Sequence, residues 1–452
     1  MDEITLGGIR EWTGAEVLGI FSANSAVANV CTDTRKIKTG DLYVALQGLK
    51  YDGHDYVAEA FELGAVGAVV GNNYVSEFDL GPVFVVQSPL RALGKIAQGY
   101  RSKFQIPVIC ITGSSGKTTT KEMLASVLEK RFNVLKSNGS ENNEIGVPKT
   151  LLRLNKHHDV VVLELAARRQ GDIKYLCDIA QPTFGILINI GTAHLEYFES
   201  LEGVAKAKGE LLEYLDESLI ALINADDRVV CQEVQRTKGR LLTFGFQSES
   251  IFRGERLTLD QESCGHFLFR GNEIALKIPG KHNAYNALAA LSVGVELGVE
   301  IKHCAEILSR FQAIEQRSEV IEIGDISVIN DCYNANPESM RAALDVLLNK
   351  VGSRKIALLG DMLELGSNSV SFHADLGLYA ATIVDELITI GPMAKYINNA
   401  ARDVGHLNVS HFEDTDLVVE HLKNSLVSGD IILVKASHGM GLGRVVEAIL
   451  RF

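Results

Sequence analysis

The sequence has little of what marks disorder, membrane insertion or an oxidising compartment. Only 8 of its 452 residues are proline, and there is no low-complexity stretch and no long run of like charge. That leaves little room for disordered segments. Apolar runs such as Ile186–Ile190 fall far short of the roughly 20 residues that a membrane helix needs, so no membrane span is expected. Seven cysteines, at 31, 110, 177, 231, 264, 304 and 332, include no pair spaced as Cys-x-x-Cys. Reduced, buried thiols are therefore expected, not a disulfide frame or a zinc site. Basic residues are outnumbered: the formal net charge is -13. An acidic surface repels phosphate and disfavours a nucleic-acid reader, though it leaves room for a local basic pocket. Solubility is the simpler meaning of that charge. Met1-Asp2-Glu3-Ile4-Thr5 has no basic flank before an apolar stretch, so no signal peptide is expected and the chain reads as cytoplasmic.

What is present is an ordinary globular balance, 46% hydrophobic and 22% charged, on a chain long enough for two to four domains. The first hundred residues alternate short elements, with strands expected at Asp41–Leu46 and Pro82–Val86 and a helix at Tyr56–Glu62. Near Gln105-Ile106-Pro107 the pattern restarts with the apolar strand Val108–Thr112, a glycine turn and a long helix. Strands recur at Asp159–Leu165, Thr183–Ile190 and Leu219–Asn224, apolar on both faces, which argues for a parallel sheet covered by helices. A further βα array begins near Ile314–Arg317, with strands at Ile326–Asp331, Lys355–Gly360, Glu386–Gly391 and Asp430–Lys435. Three α/β domains follow, over 1–100, 101–313 and 314–452.

The sharpest motif is Thr112-Gly113-Ser114-Ser115-Gly116-Lys117-Thr118, placed after a strand and opening a helix. Glycines let the backbone turn its N–H groups toward a polyphosphate, and the helix N-terminus adds partial positive charge. Lys117 suits the β- and γ-phosphates and the Thr118 hydroxyl suits magnesium. The strict pattern asks for a glycine where Ile111 stands, so this is a variant of the loop. Glu164, at the end of the Asp159–Leu165 strand, and His194, in Gly191-Thr192-Ala193-His194, are each commonplace alone. Following strands of one sheet beside a phosphate loop, they become candidate magnesium ligands. Lys206 and Lys208 sit in a helix-like run, where spacing alone makes them solvated lysines.

Together these residues resemble the Mur ligases over nearly the whole chain. Thr112–Thr118 matches the family's phosphate loop, and Asn142-Asn143-Glu144-Ile145-Gly146-Val147-Pro148 the segment after its first helix. His194-Leu195-Glu196 and Ala205-Lys206-Ala207-Lys208-Gly209-Glu210 are similar to the metal histidine and modified lysine. Pro279–Ala287 resembles the adenine-binding turn and helix. Asp331-Cys332-Tyr333-Asn334-Ala335-Asn336-Pro337 and Gly360–Gly366, followed by His373, resemble third-domain motifs of the branch that adds a dipeptide. Thr32-Asp33-Thr34-Arg35 and Gly48–His54, with Asp52, resemble segments that hold a UDP-sugar; a bottom-up reading agrees, since Thr and Asp at a turn offer hydrogen bonds and Arg35 suits a diphosphate.

The resemblance implies a three-domain α/β architecture: a UDP-sugar-binding domain, a central parallel-sheet P-loop ATPase domain and a C-terminal Rossmann-like domain. It implies ATP-dependent ligation of D-alanyl-D-alanine to UDP-N-acetylmuramoyl-tripeptide through an acyl phosphate, with ATP and Mg2+, in a monomer acting on small molecules. Lys208 would carry a carbamate and share a magnesium with His194, while Glu164 and Thr118 would serve another. Asn283 and Asn286 would approach adenine, and Arg317 and Asp331 would close over phosphates and ribose. Asn142, Asn143, Tyr333, Asn334 and Asn336 would meet substrate. Three places depart from the family pattern: Ala166-Ala167-Arg168 after the strand glutamate, Ser140-Glu141 before the paired asparagines, and Lys435-Ala436-Ser437-His438 in place of a commoner Lys-Gly-Ser-Arg near the end. Two alternatives stand beside this reading: another ligase of the superfamily, adding a single amino acid or glutamate to folate, and a non-catalytic ATP-binding regulatory protein.

Overall fold

Strands buried on both faces need helices above and below, and the α/β alternation supplies them. The computed structural model describes residues 4–75 and 81–452. The Met1-Asp2-Glu3 part of the N-terminal reading therefore lies outside the described residues. Among the described residues no helix is long and apolar enough to cross a membrane. The chain divides into two compact units, one of Met1–Ile111, Arg131–Ala167 and Gly171–Gly185, the other of Thr112–Lys130, Arg168–Gln170 and Ile186–Phe452.

In the first unit a five-stranded sheet runs in the order Glu16–Leu18, Val83–Val86, Gly67–Gly71, Leu42–Val44, Val30–Cys31. The first pairing is antiparallel and the rest are parallel. The helical segment expected at Tyr56–Glu62 begins as a 3-10 turn, Gly53–Tyr56, and becomes the α-helix Val57–Glu62. Asp52 caps that turn through His54 N, which breaks the chain from strand to helix. The same unit carries Val160–Glu164, parallel to both Val108–Thr112 and Val134–Lys136. Arg101 ends the helix Pro89–Arg101 and is buried; its guanidinium donates to the carbonyls of Phe104, Ile106, Ala180 and Gln181. The cation thus satisfies the orphan carbonyls of the turn that precedes the Val108–Thr112 strand.

In the second unit Ile220–Asn224 runs parallel to Arg240–Gly245. The sheet then departs from the parallel expectation. Phe252–Leu259, Cys264–Phe269 and Asn272–Pro279 form an antiparallel meander. Its last turn is Arg270-Gly271, with φ of 47° and 77°, the two left-handed residues that a tight hairpin demands. Phe252–Leu259 alternates buried and exposed residues at its start, the signature of a strand with one wet face, and apolar runs alone do not reveal it.

The C-terminal sheet has six strands in the order Glu319–Ile323, Ile326–Asn330, Asp430–Lys435, Arg354–Gly360, Glu386–Ile390, Val409–Phe412. All neighbours are parallel except the first pair. Register sets Asn330 beside Val434 and Leu359 beside Lys435. Asp331, Asp361 and Lys435 therefore gather at the carboxyl edge, where open parallel sheets place ligand loops. Six of the seven cysteines are buried and none is paired; Cys231 is exposed, against the expectation for all seven.

Candidate active site

The phosphate loop begins where the strand stops. Ile111, the position where a strict motif has glycine, is a fully buried strand residue paired with Glu164. Gly116 has a φ of 78°, and a Cβ there would lie 2.5 Å from Asn286 Oδ1, so only glycine fits. It opens the helix Lys117–Leu128 with no side-chain cap, so the positive end of the helix dipole faces the loop. Lys117 Nζ donates to Gly113 O at 2.9 Å, curling the side chain back over the loop.

Two asparagines hold this loop in shape. Asn189 Oδ1 accepts Ser115 N at 2.9 Å while its amide donates to Ser115 O at 3.1 Å. Ser114 Oγ donates to Gly191 O at 3.0 Å and accepts Gly191 N at 2.8 Å. Asn286 Oδ1 accepts Thr120 Oγ1 at 3.2 Å, and its amide donates to Asn283 Oδ1 at 3.0 Å. Asn283 donates in turn to Pro279 O at 2.7 Å. Both Asn283 and Asn286 are buried, and they spend these amide bonds tying the helix Lys281–Glu296 to the phosphate-loop helix. Asn189 escaped the sequence reading; its only signal is a lone polar residue just past the buried strand Phe184–Leu187.

His194 follows in the same loop with φ 59° and precedes the short helix Leu195–Phe198. Its Nδ1 meets Glu364 Oε2, a carboxylate from the C-terminal segment. Burial pushes the imidazole below the usual histidine range, Glu364 opposes that, and Lys117 and Lys208 reinforce it. Lys206 is exposed. Lys208, on the helix Leu201–Tyr214, is 1% exposed, which corrects the solvated reading for that lysine. Glu338 joins from the C-terminal segment too: its Oε1 accepts Thr192 N at 2.9 Å and Thr192 Oγ1 at 2.8 Å. Neither glutamate was singled out by spacing.

At the carboxyl edge of the C-terminal sheet, Lys435 Nζ donates to Asp331 Oδ2 at 2.6 Å and to Asn334 O at 2.9 Å. Asp331 Oδ1 accepts Ser318 N at 2.8 Å. Arg317 lies between Gln316 and Ser318, with φ of 61° and 51°, and its guanidinium covers the Tyr333 ring at 3.8 Å. The His438 ring lies 5.4 Å from that of Tyr333, so the departure at His438 puts an exposed imidazole against this stack. Asn336 caps the helix Pro337–Asn349 in a reciprocal bond with Ser339, a structural use of its side chain. Asn334 Oδ1 accepts Ala335 N at 2.9 Å.

The first unit holds further candidates. Arg35 makes a two-pronged contact with Asp33, at 2.8 Å and 2.9 Å, and is otherwise exposed. That bond from Arg35 draws the Asp33 carboxyl below its usual range. Thr32 is half-buried and Thr34 buried. His54 Nδ1 meets Asp52 Oδ1 at 2.5 Å and Nε2 accepts Gly71 N at 2.9 Å, so the ring is fixed on both sides. Asn142 donates to Glu164 Oε1 at 2.8 Å, and Glu164 is buried. Asn143 Oδ1 accepts Ile145 N and Gly146 N. The departure at Glu141 is absorbed structurally: it accepts Thr150 Oγ1 at 3.3 Å and lies 3.8 Å from Arg153.

Among the described residues no three His, Cys, Asp or Glu side chains gather as a metal set. The charges that act on the His194 imidazole include those of Glu364, Lys117 and Lys208, more basic than acidic. Such a pocket suits phosphate outright, and a divalent cation once anionic charge is added.

The chain is similar throughout to known proteins. Residues 111–294 match the Mur ligase middle domain, 316–438 the Mur ligase glutamate ligase domain and 26–101 the Mur ligase family catalytic domain. The UDP-N-acetylmuramoyl-tripeptide--D-alanyl-D-alanine ligase of Synechocystis is 36% identical, over 99% of this chain and 98% of its own. That of Escherichia coli is 34% identical over 99% of both. The crystal structure of MurF from Acinetobacter baumannii superposes with a TM-score of 0.90 at 29% identity, over 99% of each chain. MurF from Thermotoga maritima, in complex with ADP, gives 0.83 at 30% identity over 94% of this chain and 97% of that one. Phosphate loop, buried helix lysine, strained histidine and three consecutive domain matches agree: this chain belongs to the Mur ligase family.

Proposed function

We propose that this Mur ligase joins D-alanyl-D-alanine to UDP-N-acetylmuramoyl-tripeptide at the cost of ATP, in peptidoglycan precursor synthesis. The observation that carries the ligase chemistry is the convergence of Lys117, His194 and Lys208 at one phosphate loop. The full-length likeness to ligases bearing that name carries the choice of substrates. In this reading 1–100 holds the UDP-sugar through Thr32–Arg35, 101–313 holds ATP, and 314–452 covers it. The protein acts as a cytoplasmic monomer.

A peptide carboxylate is a poor electrophile. ATP therefore phosphorylates it first, and phosphoryl transfer depends chiefly on positioning and electrostatics. Lys117, pre-curled over the loop by Gly113 O, neutralises charge on the transferring group, while the Gly113–Thr118 loop cradles the phosphates. The dipeptide's amine then attacks the acyl phosphate, and phosphate leaves. Thr118 would serve one magnesium, and His194 with a carbamate on Lys208 another; when bound these ions would supply further charge neutralisation, and the carbamate would add the anionic charge that the basic pocket lacks. Arg317 and Lys435, one stacked on Tyr333 and the other locked by Asp331, bring cationic groups to the nucleotide from the C-terminal sheet.

The test is phosphate release from ATP by the purified protein given UDP-N-acetylmuramoyl-tripeptide, with and without D-alanyl-D-alanine. Release that needs both, with the ligated product seen by mass, is expected. ATP binding without release for this pair would overturn the substrate assignment.

A further inference from the structure

The loop Asn189–Glu196 is gripped from both ends. On one side Asn189 and Gly191 bond to Ser115 and Ser114 of the phosphate loop. On the other, Glu338 takes Thr192 and Glu364 takes His194, both from the segment that matches the glutamate ligase domain. A second bond, Glu196 N to Glu364 O at 3.0 Å, runs beside the side-chain contact. His194 and Glu364 are both non-glycine residues in the left-handed region, with φ of 59° and 61°. Such conformations persist only where the surroundings over-determine them, and here each is held by the other. Gly366 permits the approach: a Cβ on it would lie 3.2 Å from Glu196 Cα.

The acidic loop is itself braced. His373 Nε2 accepts Met362 N at 3.0 Å, and Ser437 Oγ accepts Leu363 N at 2.9 Å. Asp361 Oδ1 accepts Met393 N at 3.0 Å and Ala394 N at 2.7 Å. Glu364 is thus presented from a rigid mount. A carboxylate accepts hydrogen bonds, so the nitrogen it faces carries the proton; Nδ1 of His194 is the donor and Nε2 keeps the lone pair.

We propose that Glu364 is a positioning residue for His194, fixing Nε2 as its cation-binding nitrogen, so that the divalent-cation site is complete only while the Asp361–Gly366 loop is docked on Leu195–Phe198. This rests on the reading of His194 as a metal ligand. By linkage, cation binding and docking of this loop strengthen each other. The arrangement makes Glu364 an outer partner of the metal site, although it is 170 residues from the histidine it serves.

The experiment uses the full chain with ADP and Mn2+, following free Mn2+ by electron paramagnetic resonance and the tautomer of His194 by 15N NMR. Glu364→Ala keeps a side chain with the same backbone penalty and should weaken Mn2+ binding by about 10–100-fold, the usual loss for a partner of a ligating histidine. Its His194 should lose the single Nδ1–H tautomer. Glu364→Gln retains an acceptor without charge and should restore that tautomer and most of the affinity. ADP binding without metal should not change in either variant. Wild-type Mn2+ affinity and an unaltered tautomer in Glu364→Ala would overturn the proposal. If Glu364→Ala does not fold, Glu364→Leu, which fills the space without accepting a hydrogen bond, decides: a retained Nδ1–H tautomer with wild-type Mn2+ affinity in that variant would overturn it. A His194→Ala protein that binds Mn2+ like wild type would instead overturn the reading beneath it, whatever Glu364 does.

Discussion

The candidate side chains of the two units are held in opposite ways. In the first unit most partners are next door: Arg35 on Asp33 and His54 on Asp52, each two residues apart, and Asn143 on the N–H of Ile145 and Gly146. In the second, they come from far along the chain: Ser115 and Asn189 are 74 residues apart, Lys435 and Asp331 104, Thr120 and Asn286 166, and His194 and Glu364 170. A local pair forms in a turn whether or not the rest of the chain has folded. A distant pair costs loop-closure entropy that only the folded core offsets. The difference fits the tasks proposed for them. Phosphoryl transfer needs donors fixed to a fraction of an ångström, whereas an exposed arginine beside a turn serves a ligand that brings its own contacts.

Lys117 tests the comparison most severely, because the proposed chemistry relies on it yet it is bonded locally to Gly113. Lys117→Ala should lower kcat by about a hundred- to thousandfold, or about 3–4 kcal/mol of barrier, with little change in the thermal midpoint. Phosphate release under saturating substrates measures it. Full turnover would remove the lysine from the mechanism.

Asn286 is the second-unit bond that a midpoint should report. Asn286→Ala strips Thr120 and Asn283 of a buried partner, which should cost about 2–3 kcal/mol in urea unfolding. Nucleotide affinity should fall with it, since Gly116 packs on this amide. A variant as stable as wild type would show that the phosphate-loop helix does not need its distant tie.

The same contrast explains what the sequence made legible. The phosphate loop is seven consecutive residues, and its strand-turn-helix context can be read from neighbouring hydrophobicity. Four parallel strands of the C-terminal sheet were legible to within a residue at each end, because buried parallel strands are apolar throughout; the edge strand Val409–Phe412, only half-buried and carrying Ser410 and His411, was not. The antiparallel meander 252–279 was not, since its outward faces are polar. Asn189, Glu338 and Glu364 escaped for another reason. Each is an ordinary polar residue until the fold brings its partner, and nothing local to Glu364 points to His194. Lys208 is intermediate: resemblance set it apart from Lys206, and burial supplies the physical difference.

Asp226 is a distant hub outside the proposed chemistry and sharpens the comparison through pH. It accepts Phe246 N, Gln247 N, Ser248 N, Ser248 Oγ and Tyr285 Oη–H. Burial opposes its charge, but those hydrogen bonds win and bring its pKa down to about 2 from 3.8. A depressed carboxylate contributes stability that is fully present above the unfolded value and lost as pH falls through the folded one. The contribution, about 1 kcal/mol once solvent screening of this partly exposed carboxylate is allowed for, should therefore disappear between about pH 4 and pH 2. Asp226→Asn should destabilise the protein by a similar amount at pH 7 and flatten that part of the pH–stability curve. An unchanged acid limb would assign the acid sensitivity to other carboxylates.

Arg35 should give the smallest effect on stability. Its guanidinium is exposed, its carboxylate partner is two residues away, and the pair closes no loop of any length. Exposed ion pairs of this kind contribute little, because solvent screens them and holding the long side chain costs rotamer entropy. Arg35→Ala should therefore leave the thermal midpoint where it is. It should raise KM for the UDP-linked peptide while kcat stays intact, since the lost contact is made equally before and during the chemistry. Substrate kinetics and a melt on the same preparation separate the two. A drop in midpoint comparable to that of Asn286→Ala would mean that the local pair supports the first unit's fold, and the division between local and distant partnerships would no longer follow function.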